Sequence, residues 1–126
     1  MSGETDLAVL LRSMEPVLFE EPYGFIEGEV PGAFALIAED EGPTVVAQAA
    51  MLRAAGLLVP DEWARISLTV HSALAAVGLT AAIARALAEA GISANVIAGY
   101  HHDHIFVPWD KRFVALEALR ALSRHG

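Results

Sequence analysis

Nineteen consecutive residues, Ile66 to Ala84, carry no Asp, Glu, Lys or Arg, and this run constrains the fold most. It is about as long as a bilayer crossing requires. Ser67, Thr69, His71, Ser72, Gly78 and Thr80 interrupt it, however, and its pattern switches from alternating β-branched residues to an alanine-rich stretch. A period of two followed by a period near 3.6 describes a buried strand leading into a helix, and no membrane span is expected. The spacing predicts a strand from Trp63 to Val70, a connection from His71 to Val77, and a helix from Leu79 to Ala90 closed by Gly91.

The same reasoning extends to both sides. Ile92 to Ala98 and His104 to Pro108 read as strands joined by a hairpin through Gly99-Tyr100-His101-His102-Asp103. Asp110 suits the N-cap of a last helix whose Phe113, Leu116, Leu119 and Leu122 share a face, with Arg120, Arg124 and His125 near its carboxyl end. Toward the amino terminus, a helix from about Thr5 places Leu7, Leu10, Leu11 and Met14 on one side and stops at Pro16. Val17 to Phe19, Tyr23 to Ile26 and Ala33 to Ala38 read as strands. Glu39-Asp40-Glu41-Gly42 is then an acidic loop, and Pro43 opens a helix running to Ala55 and stopping at Gly56.

An internal repeat emerges from this plan. Gly42-Pro43-Thr44 and Gly78-Leu79-Thr80 each stand at the mouth of a strand-to-helix turn, and Ala54-Ala55-Gly56-Leu57 matches Glu89-Ala90-Gly91-Ile92. The 126 residues are expected to divide into modules at 1–62 and 63–126. Charge divides at the same place. The first 62 residues hold twelve acids against two arginines, a net of −10, whereas the rest hold four acids against six bases, a net of +2. The overall −8 repels phosphate backbones and anionic headgroups, so neither nucleic acid nor a membrane surface is an expected partner. With no cysteine there is no disulfide, zinc-thiolate site or thiol nucleophile, which suits a reducing cytoplasm. The opening MSGETDLAVLL has no basic region ahead of its apolar stretch and does not read as a secretory signal.

Chemistry concentrates at the Gly78 turn. A glycine there lets the backbone approach a ligand closely, and the first free N–H groups of the following helix favour a carboxylate. Residues 66–108, from ISLTVHSALAAVGLTAAIARALAEAGISANVIAGYHHDHIFVP, resemble an ACT domain. Together with SGETDL and EDEGPT near the start, the whole chain resembles a small uncharacterised bacterial family of tandem ACT-like proteins. The resemblance implies an α/β (α+β) fold, a ferredoxin-like sandwich duplicated in tandem, and regulatory binding of an amino acid at a module or subunit interface. It implies a homodimer, no cofactor and no catalytic residue. By the same resemblance the ligand-binding positions are His71, Ser72, Val77, Gly78, Leu79, Thr80, Asn95 and Val96, with Glu39, Asp40, Glu41, Gly42 and Thr44 as counterparts in the first repeat. ACT turns usually carry an Asp-x-Pro-Gly-like stretch, whereas Ala75-Ala76-Val77-Gly78 has neither acid nor proline. The ligand's amine is therefore assigned to Glu39-Asp40-Glu41, on the expectation that the two repeats face each other.

Two alternatives stand beside this reading. His101, His102, Asp103 and His104 are adjacent, and in an extended segment His102 and His104 share a face, which begins a metal site or a metal-dependent enzyme unless a turn intervenes. A structural interaction module without ligand is the other.

Overall fold

The structure is a computed structural model and describes residues 6–70 and 77–125. Asp6 caps the first helix, α1 (Leu7–Ser13), its Oδ1 accepting from the N–H groups of Ala8 and Val9 at 2.9 and 3.2 Å. There follow β1 (Pro16–Leu18), β2 (Tyr23–Glu27), β3 (Ala35–Glu39), β4 (Gly42–Gln48), α2 (Ala49–Ala54) and β5 (Trp63–Leu68). The chain continues with α3 (Leu79–Glu89), β6 (Asn95–Ala98), β7 (Asp103–Pro108), a 3-10 turn (Trp109–Lys111) and α4 (Arg112–His125).

All strands pair antiparallel in one sheet of order β3-β4-β2-β5-β7-β6, with β1 pairing β5 beside β2. Each half repeats one pattern. β2, β3 and β4 lie in the order β3-β4-β2 and are followed by α2, as β5, β6 and β7 lie in the order β6-β7-β5 and are followed by α4. This is the ferredoxin-like arrangement, built twice. The two copies interlock: β5 flanks β2 as the fourth strand of the first, and β1 flanks β5 as the fourth strand of the second.

Period-two alternation divides the sheet into two faces. Ala64, Ile66 and Leu68 of β5, with Ile105 and Val107 of β7, turn toward α1, α3 and α4, where Leu10, Met14, Ile83, Leu87, Ala115 and Leu119 close the main core. Although α1 and β1 come first in the sequence, Leu10, Leu11 and Met14 are buried in this second-half core. A smaller core under α2 joins Val45, Ala47 and Leu52. The opposite face is concave and aromatic. Phe25 of β2 and Phe106 of β7 lie two strands apart, yet their rings meet at 5.1 Å, with Tyr23, Phe34 and Trp63 around them.

Three expectations are corrected. Pro43 to Ala55 is not one helix: Gly42–Gln48 is strand β4 and only Ala49–Ala54 is helical. Val45, Ala49 and Leu52 are spaced like a helical face, but Thr44, Val45 and Val46 favour a strand, and Val45 and Val46 are buried on opposite faces of a central one. Gly42 therefore opens a strand, so its pairing with Gly78 as a second strand-to-helix turn is overturned. The loop at residues 28–34 stands where the second half has α3. Finally, Phe113 is 65% exposed; Leu119 is buried and Leu122 packs against the core as expected, with Ala115 buried in place of Phe113. Among the described residues no helix is long and apolar enough to cross a membrane.

Candidate functional site

Gly78 stands at the start of α3 with φ +98° and ψ −17°, a left-handed conformation that L side chains rarely adopt. Its carbonyl accepts the first helical hydrogen bond, from Ala82 N–H at 2.9 Å. Gly78 has no side chain with which to cap the helix, and among the described residues no side-chain hydrogen bond to its leading N–H groups is made. Val77 is 83% exposed, Leu79 is anchored in the core, and Thr80 is exposed. A shallow cavity of about 330 Å³ runs from Gly78 past Ala82 and Arg85 to Glu89. His71 and Ser72 lie outside the described residues.

The remaining predicted positions are elsewhere. Asn95 pairs with Phe106, which pairs with Arg65, three residues below the Leu68 end of β5 from which the chain leads to Gly78. At about 3.3 Å per residue this is roughly 10 Å along the strand. Val96 packs against the helical core. Glu39 and Gly42 close the β3–β4 hairpin, with Asp40 and Glu41 at its tip, and the Thr44 hydroxyl donates to the Glu39 carboxylate. That hairpin lies at the opposite end of the sheet. Counting register from Leu68 down β5 and on along β2, it is on the order of 30 Å from the Gly78 end. Within one chain the acidic loop does not face the glycine turn.

The histidine reading is corrected as well. Residues 99–102 form the turn between β6 and β7, so the extended geometry needed for a metal site is not made. Asp103 is buried while His104 lies on the aromatic face, and His102 Nδ1 is 3.4 Å from the Val70 carbonyl oxygen. Among the described residues no three His, Asp or Glu side chains gather closely enough to hold a metal ion.

His104 belongs instead to a chain of polar contacts on the concave face. Arg65 Nε donates to Ser67 Oγ at 3.0 Å, and Arg65 Nη1 donates to Tyr23 Oη at 3.0 Å. Ser67 Oγ lies 2.7 Å from His104 Nδ1. Because arginine only donates, Ser67 accepts from Arg65, and either partner of the Ser67–His104 contact donates according to the imidazole tautomer. Burial, then the charge of Arg65 and then that of His102, lower the His104 pKa from 6.5 to about 4. Gly99 permits this packing, since a Cβ there would stand 2.8 Å from the His102 carbonyl oxygen and 3.4 Å from His104 Nε2. The Arg65 guanidinium is stacked between the rings of Phe19 and Phe34 at 3.9 and 4.1 Å. Sequence reasoning missed Arg65, Tyr23, Phe19 and Phe34. The available signal was the alternation of β5, which puts Arg65 and Ser67 on one face.

Sequence models described as ACT domain match residues 58–121 and, separately, residues 2–62. A solved structure of a Vibrio cholerae protein of unknown function, described as a possible transport protein, is 46% identical, covers 93% of this chain and 95% of that one, and superposes with a TM-score of 0.81. An Agrobacterium tumefaciens protein is 15% identical over 87% of this chain and 89% of its own, with a TM-score of 0.68. The ligand-free regulatory subunit of aspartate kinase from Thermus thermophilus is 13% identical over 85% of this chain and 95% of its own, with a TM-score of 0.62. At such low identity the last two establish the fold alone. A comparison with curated proteins gives no match.

Proposed function

This chain belongs to the ACT domain family, whose members serve regulatory, ligand-binding roles, and from that premise we propose that it is a non-catalytic sensor of an amino acid. The reading is carried by Gly78: a left-handed glycine opens α3, no side chain among the described residues caps the helix, and its N–H groups suit a carboxylate. For Glu39, Asp40 and Glu41 to hold the ligand's amine, or Asn95 to bond it, they must come from a second chain. A homodimer supplies one. Edge strand β3 supports it, since Leu36 and Ile37 are 55% and 42% exposed beside unpaired backbone. We place this dimer in the cytoplasm, which a cysteine-free chain suits. The two interlocked copies, whose division is expected near residues 62 and 63 apart from α1 and β1, would then change their relative disposition when a ligand prefers one arrangement over the other.

Ser67 and His104 resemble a nucleophile and its base, but a base with a pKa of about 4 is poorly matched to proton abstraction at neutral pH. A thermal-shift screen of the twenty amino acids tests the proposal. We expect one amino acid, or a few related ones, to raise Tm in the wild type and not in Gly78→Ala; a screen in which none does so removes the amino-acid reading.

A further inference from the structure

We propose that Arg65 is the centre of a second ligand site, on the concave face of the sheet, which takes a small organic carboxylate bearing an apolar body. The hydrogen-bond chain carries the argument. Arg65 donates to Ser67 and to Tyr23, and Ser67 is hydrogen-bonded in turn to His104. Tyr23 Oη, having accepted from Arg65, retains its own hydrogen to donate. Arg65 and Tyr23 thus retain hydrogens to offer, and no member of the cluster is an anion.

Charge makes this arrangement incomplete. The chain has twice as many acids as basic Lys and Arg residues, yet among the described residues its ion pairs are Arg53–Glu62 and Arg124–Glu117. Arg65 is in neither, although it is half-buried. The rings of Phe19 and Phe34 lie 3.9 and 4.1 Å from its guanidinium carbon, and its Nε and Nη1 already donate to Ser67 and Tyr23, which leaves Nη2 for recognition. An Nη2 group beside two rings, with the Tyr23 hydroxyl bonded to the neighbouring Nη1, suits a planar carboxylate whose two oxygens can each accept one hydrogen better than a spherical anion. The surrounding Phe25, Trp63 and Phe106 favour an apolar substituent on that carboxylate. Phe34 is the last residue of the loop that stands where the second half has α3, so the ring over Arg65 is specific to the first half.

Sodium benzoate is the probe, titrated into the full chain while the Arg65 Nε–H resonance is followed by ¹⁵N NMR, with sodium chloride and phosphate at matched ionic strength. The expected result is a saturable shift with benzoate at millimolar concentration or below. Arg65→Lys, which keeps the charge and loses the fork, is expected to weaken binding about tenfold or more, a difference of about 1.4 kcal/mol per decade. Tyr23→Phe is expected to weaken it several-fold, and decides the matter if Arg65→Lys fails to fold. No saturable shift up to about 10 mM benzoate, an equal response to chloride or phosphate, or unchanged affinity in Tyr23→Phe together with a folded Arg65→Lys overturns the proposal. The amino-acid screen bears on Gly78 and shares no residue with this titration, so either can fail alone.

Discussion

Ser67 Oγ and His104 Nδ1 meet at 2.7 Å across β5 and β7, and burial there, with the charge of Arg65 on the far side of the hydroxyl, keeps that imidazole neutral. The consequence is a stability that depends on pH. His104 has a pKa of about 4 in the folded chain against 6.5 unperturbed. Between these values the unfolded chain binds a proton that the folded chain does not, so stability falls as pH drops through 6.5 and the loss is complete near 4. The difference corresponds to at most about 3 kcal/mol, and partial exposure reduces it to roughly 1–2 kcal/mol. Urea unfolding at pH 7 and 4.5 is expected to show this loss in the wild type and a flatter profile in His104→Asn, whose amide oxygen can still accept from Ser67. Equal slopes in the two proteins would assign the loss to other groups.

Removal of α1 and β1 is expected to unfold the second half of the chain. Leu10 and Met14 are fully buried among Ile66, Ile83, Ile105 and Leu119, and β1 pairs Pro16 to Leu18 with Leu68 to Ile66. Leu10→Ala is expected to cost about 2–5 kcal/mol. A chain beginning at residue 21 is expected to lose the exchange protection of β7 amides, although β7 lies more than eighty residues away in sequence. Persistent protection of Ile105 and Val107 in that shortened chain would show that the second half holds together without the amino-terminal segment.

Gly78→Ala tests the left-handed turn through a double-mutant cycle. The new Cβ meets two costs, a φ of +98° and a Leu7 Cδ2 atom only 3.0 Å away. The backbone part is about 1–2 kcal/mol. Shortening Leu7 relieves only the contact, so the Leu7→Ala, Gly78→Ala pair is expected to be less destabilising than the sum of its members. Strict additivity in chemical denaturation would place Leu7 away from the turn.

How legible these features were in the sequence depends on the range over which each is encoded. β5, the Gly78 turn and α3 were readable because each announces itself within a few residues: alternation in 63–68, a glycine, then an alanine-rich periodic run. β4 was misread because a strand buried on both faces loses its alternation, and Val45, Ala49 and Leu52 then imitate a helix. Misreading β4 displaced the acidic loop, since a hairpin and a strand-to-helix turn put Glu39 to Gly42 at different ends of the sheet. The Arg65 cluster was invisible for a different reason. Its partners come from 42 and 37 positions away, Tyr23 to Arg65 and Ser67 to His104, and only the interlocking of β2, β5 and β7 brings them together.

That interlocking buries β5 in the centre of the sheet and leaves β3 at one edge, where the homodimer is expected to form. Exposed apolar strands with free N–H and C=O groups add a partner strand readily, and natural edges are commonly protected by lysine, proline or a bulge. β3 reads Ala35-Leu36-Ile37-Ala38-Glu39 and has a single charge, at its end. Leu36 and Ile37 point to opposite faces, so a partner strand would cover both. Ile37→Lys places a charge beside the new pair without touching the buried core, and is expected to change the mass by light scattering from twice 13.4 kDa to 13.4 kDa while leaving the unfolding midpoint within about 0.5 kcal/mol once concentration is accounted for. A dimer that survives both this substitution and Leu36→Lys would move the contact away from β3, and with it the second-chain origin proposed for the acids at Gly78.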